Sequence, residues 1–136
     1  MINYYVDHKR DVLVTSVAAK VSVQDVLEHI KAIKIDKKAN SCVKELIELH
    51  GSGVGFSFPE LFTIVEADQK RYGDDERYIA IVIESPVSYG LARMFMGLQV
   101  NKSYVIRIFR ERDDAIEWLD SIVSTDQAFS LEGAGT

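Results

Sequence analysis

Cysteine is almost missing from this sequence. Cys42 is the one thiol in 136 residues, so no disulfide closes within the chain and a reducing compartment suits it best. An excess of basic charge is missing too: the formal charge is −5, which argues against a general nucleic-acid binder needing a basic face. No apolar run approaches the 18 or so residues that span a bilayer. The start, MINYYVDHKR, has neither the charged beginning nor the apolar stretch of a secretion signal, so a cytoplasmic protein is expected. The sequon Asn101-Lys102-Ser103 is then a chance match.

Phosphate motifs are also lacking. The stretch GSGVGFSFPEL spaces its glycines at Gly51, Gly53 and Gly55, whereas a dinucleotide fingerprint needs a glycine where Phe56 stands. A Walker loop needs a lysine before its helix, and none lies between Lys44 and Lys70. His8, His29, His50 and Cys42 have no zinc-like spacing. His8 is expected in a turn and His29 on the polar side of a helix, both solvated. His50 near Ser52 and Ser57 lacks the nucleophile elbow of a hydrolase. Cys42 is expected to be an inert buried thiol. The acids of GDDER (Asp74, Asp75, Glu76) and Asp113-Asp114 read as solvated faces. No cofactor, metal or catalytic group is expected, and an enzyme is the least favoured class.

What is present is a well-patterned α/β domain, with an apolar share of 47% and a charged share of 27%. INYYV and DVLVTSVAA read as a hairpin joined by DHKRD, with Val12 and Val14 on one face and Leu13, Thr15 and Val17 on the other. VSVQDVLEHIKAIKIDKK has helical period, with Val23, Val26, Leu27, Ile30 and Ile33 in a stripe, a Ser22/Asp25 capping box and lysines 31, 34, 37 and 38 at its end. SCVKELIELHG fits helix or strand by period alone. A strand is expected, because the flanking helices then form βαβ crossovers.

FPELFTIVEADQKRYG is a helix with Pro59 in its first turn and Phe58, Leu61, Phe62 and Val65 inward. RYIAIVIE is a strand buried on both faces. VSYGLARMFMGLQV is a helix with Val87, Leu91, Met94, Phe95 and Leu98 inward; SYVIRIF is a strand; ERDDAIEWLDSIV is a helix burying Ala115, Trp118, Leu119 and Ile122. The expected order is ββαβαβαβα, a mostly parallel sheet with an N-terminal hairpin and four helices. One domain over 1–123 and a fraying tail over 124–136 complete the layout.

Ser57 is expected to cap the helix it precedes, and a hydroxyl there also sits where a phosphate is well accommodated. The helix SYGLARMFMGL carries more large apolar residues than one stripe needs, Met96 lying off the line of the others. With Phe62, the residues Tyr89, Met94, Phe95 and Met96 make a candidate surface for an apolar ligand, a membrane or a second copy of the chain.

RYIAIVIESPVSYGLARMFMGL followed by YVIRIFRERDDAIEWL resembles the SpoIIAA-like group of bacterial proteins, related to the STAS domain of anti-sigma-factor antagonists. The likeness covers residues 1 to 123, more weakly before 75. It implies a STAS-like fold and a non-enzymatic role. The group is also similar in fold to a class of lipid-binding domains, which implies peripheral membrane contact or apolar ligand binding.

In true antagonists an Asp-Ser pair precedes the second helix, and a partner kinase phosphorylates the serine. The matching pair here is Phe56-Ser57, and the missing aspartate argues against that switch. The functional expectation is therefore a binding module docking a protein partner around Ser57, Phe56 and Phe58. The alternative is a carrier or sensor of a lipid or other apolar small molecule, using a pocket between the sheet and the helices at 58–71 and 87–100. A homodimer is expected.

Overall fold

The computed structural model describes residues 2–18, 20–51, 56–72, 76–99 and 103–122. The glycines at 53 and 55, the acids at 74 and 75 and the tail over 124–136 lie outside the described residues.

Strands β1 (Ile2–Asp7), β2 (Val12–Val17), β3 (Lys44–Leu49), β4 (Arg77–Val82) and β5 (Tyr104–Phe109) form one sheet in chain order. β1 is antiparallel to β2, and every later pair is parallel. The hairpin turn is fixed by the Asp7 carboxylate, which accepts from the amides of Lys9 and Arg10 at 3.1 Å each. Residues 44–49 are extended between β2 and β4, as the crossover argument requires.

Five helices lie among the described residues: α1 (Val23–Ile35), α2 (Lys37–Ser41), α3 (Phe58–Tyr72), α4 (Pro86–Leu98) and α5 (Arg112–Ser121). The order is ββααβαβαβα, one helix more than the sequence predicts. Asp36 makes the difference. Its amide closes α1 on the carbonyls of Ala32 and Ile33, its backbone is extended, and its carboxylate caps the Ala39 amide at 3.1 Å. Lys37 and Lys38 therefore begin α2 instead of loading the end of α1. The Ser22/Asp25 capping box at the start of α1 is formed as predicted.

Each parallel crossover steps one strand in the same direction, so the right-handed rule places α1, α3 and α4 on one face of the sheet. There α1 meets α3, and α3 meets α4. On the other face, among the described residues, α5 packs Ala115 and Leu119 against Val12, Val14, Leu46, Ala80 and Val82, with Trp118 and Ile122 beside them as expected.

The inward stripes of α3 and α4 are displaced from those the sequence suggests. In α3 the buried residues are Leu61, Ile64, Val65 and Asp68, while Phe58 and Phe62 are 58% and 51% exposed. In α4 Ser88 and Ala92 are buried, Leu91 and Phe95 are half-buried, and Val87 and Met94 face outward. Small residues let α4 approach the sheet closely, and this rotates the larger ones to its flanks.

Candidate functional site

Between the sheet and the three-helix face lies a chamber of about 120 Å³. Its wall is built by strand alternation: Thr15 and Val17 from β2, Glu45, Ile47 and Leu49 from β3, and Arg77 and Ile81 from β4 all project to this face. Helix α1 adds Val26, His29, Ile30 and Ile33; α3 adds Leu61, Ile64 and Asp68; α4 adds Leu91, Ala92 and Phe95. Ile2 and Phe56 complete the lining, which is overwhelmingly apolar.

Of the polar exceptions, Glu45 and Arg77 stand at the amino-terminal ends of β3 and β4, where they meet Asp68 of α3. Arg77 is 1% exposed. Its Nη1 donates to Asp68 at 2.7 Å and its Nη2 donates to Glu45. The guanidinium also lies 5.3 Å from the centre of the Tyr104 ring. Burial lowers the Arg77 pKa to about 10, which leaves it a cation at neutral pH. A buried charge costs several kcal/mol unless paired, so the two acids are what let Arg77 stay inside. One strand over, the Thr15 hydroxyl is 2% exposed and has no hydrogen-bond partner among the described residues.

Phe56 is half-buried and lines the chamber. Ser57 is a structural cap: its Oγ accepts from the Glu60 amide at 3.3 Å, and its own amide donates to the Glu60 carboxylate at 2.9 Å. Phe58, Phe62, Tyr89 and Met94 are exposed, Met96 is half-buried, and Phe95 belongs to the chamber wall. The candidate apolar surface thus divides into an inner residue and an outer set.

His29 departs from the prediction. It is half-buried, lines the chamber, and meets the Tyr4 ring edge-on at 5.6 Å. His8 is exposed, as expected, and His50 contacts Glu84 at 3.1 Å at the end of β3. Burial pushes the Cys42 thiol up to about 11, so it is a poor nucleophile at neutral pH.

Sequence reasoning missed Glu45, Asp68 and Arg77. Glu45 alternates with Ile47 and Leu49, Arg77 with Ile79 and Ile81, and Asp68 follows Leu61 by two helical turns. A charged residue in register with a buried stripe was the available signal.

Among the described residues no group of His, Cys, Asp and Glu is disposed to hold a metal ion, and no helix is long and apolar enough to cross a membrane. No family model, characterised protein or solved structure matches the chain.

Proposed function

We propose that this protein is a non-catalytic, SpoIIAA-like binding module that holds a small apolar molecule in the chamber beneath α1, α3 and α4. The observation that carries this reading is the chamber itself. Ligand pockets are concave and mostly apolar, with a few placed polar groups. A space of about 120 Å³ walled by Ile, Leu, Val and Phe is of the kind that takes up apolar guests. Its volume is close to that of a cavity of about 150 Å³ that holds benzene, so a ring-sized group fits within it. The buried ions are paired with one another, and this supports binding without chemistry.

The test is native mass spectrometry of protein taken from its own host, together with a thermal-shift titration with toluene. A retained small molecule, or a Tm that climbs with ligand concentration by mass action, is expected. Protein that carries nothing and ignores toluene refutes the proposal.

A second reading is docking of another protein chain at α3, and the outward-facing Phe58 and Phe62 next to the Ser57 cap favour it. That other chain is a second copy of this one.

A further inference from the structure

We infer that the corner formed by the end of α1 and by α2 docks on an anionic lipid bilayer, with Ile35 entering the headgroup layer. This surface is separate from the chamber and does not depend on what fills it.

Ile35 supplies the apolar element. It is 83% exposed, the most exposed large apolar side chain among the described residues. It follows the buried Ile33 by two helical positions, a rotation of about 200°, so it projects away from the core. Turning α1 to bury it would expose Ile30 and Ile33. A single exposed isoleucine is ordinary on a protein surface. Its surroundings set this one apart.

Residues 31–38 hold Lys31, Lys34, Lys37 and Lys38 and a single acid, in a chain whose formal charge is −5. All four lysines are exposed. The acid, Asp36, has its carboxylate engaged by the Ala39 amide at 3.1 Å and the Tyr4 hydroxyl at 3.0 Å. Glu28, further up α1, accepts from Gln24. Lys38 pairs with Asp11 at 2.7 Å, which brings the hairpin turn and its exposed Lys9 alongside. Lys31, Lys34 and Lys37 have no ion pair among the described residues.

The helix dipole accounts for Lys31 and Lys34 near the end of α1. It does not account for Lys37 and Lys38. These open α2, where a helix favours acids, and the first turn of α2 has none. Local helix electrostatics thus oppose the charge that this corner concentrates.

An acidic protein or a nucleic acid would engage the lysines and leave Ile35 in water. A bilayer interface takes both. Anionic headgroups attract the ammonium groups, the lysine stems lie along the surface, and the apolar tip reaches the acyl boundary.

The test is cosedimentation with vesicles of phosphatidylcholine alone, or of phosphatidylcholine and phosphatidylserine in equal parts. The wild-type chain is expected to sediment with the mixed vesicles only, and to be released as salt rises. Lys34→Gln and Lys37→Gln are each expected to lower the partition coefficient about five-fold. Ile35→Gln is expected to lower it about ten-fold. All three positions are exposed, so each variant should keep the wild-type Tm.

Equal binding to both vesicle types, or binding that survives the combined lysine replacement, overturns the electrostatic part of the inference. Binding that Ile35→Gln leaves intact, or equally tight retention of a DNA duplex or polyglutamate, shows a surface that reads charge alone and overturns the bilayer assignment. Failure to sediment with either vesicle overturns the whole, and toluene binding in the chamber stands or falls separately.

Discussion

At the scale of single residues, Arg77 is the side chain on which most depends. Its two carboxylate partners come from different elements, and all three groups are buried. Truncating it leaves two carboxylates without their counter-ion in the interior. Arg77→Ala is therefore expected to cost about 3–5 kcal/mol in urea denaturation. The combined replacement Arg77→Met, Glu45→Leu, Asp68→Leu should cost less than the single truncation, because apolar residues of similar volume leave no charge to desolvate. If the triple variant is the less stable of the two, the cluster stabilises the fold in its own right, and the account of it as a compensated burden is wrong.

At the scale of elements, α3 depends on its first turn. The reciprocal Ser57–Glu60 bonds satisfy two amides that the helix itself cannot. Ser57→Ala is expected to lose about 1 kcal/mol, and Ser57→Asp to keep most of it, since aspartate caps as well as serine. The Ser57 amide, followed by the Ser57 side chain, holds the Glu60 carboxyl below its ordinary value of 4.5. A depressed acid contributes stability above its unfolded value and loses it as pH falls through the folded one. The destabilisation by Ser57→Ala should therefore shrink as pH is lowered through and below 4.5. A penalty constant across that range would separate the cap from the carboxylate.

Helices were less legible in the sequence than strands, for a physical reason. Strand period is two, so Val12, Leu13, Val14 and Thr15 sort themselves without ambiguity, and RYIAIVIE reads as an interior strand from its unbroken apolar run. A helix bearing several large apolar residues offers two neighbouring stripes. Phe58 and Phe62 weighed toward the wrong one in α3, while Asp68, the residue that marks the true stripe, counts as polar. In α4 the buried face belongs to Ser88 and Ala92, too small to dominate a pattern. Each of Glu45, Asp68 and Arg77 stood in register with a buried stripe, but their pairing was unreadable because it joins residues 9 and 32 positions apart, and neither spacing is a motif.

At the scale of the whole molecule, the sheet divides two unlike layers. Helix α5 covers one face closely, while α1, α3 and α4 line the chamber on the other. The outer side of α3 leaves Phe58 and Phe62 in solvent. If two copies associate there, sedimentation velocity will give a mass that rises toward twice the monomer with concentration, and Phe62→Glu will hold it at the monomer. A wild-type chain that stays monomeric throughout refutes that association without touching the chamber.

The Arg77 clasp has one more effect. It fastens β3, α3 and β4, three successive lengths of one continuous segment, and Tyr104 of β5 lies against its guanidinium. The middle of the protein thus carries its own latch. Amides of the latched segment are expected to exchange with solvent more slowly than those of the hairpin and α5.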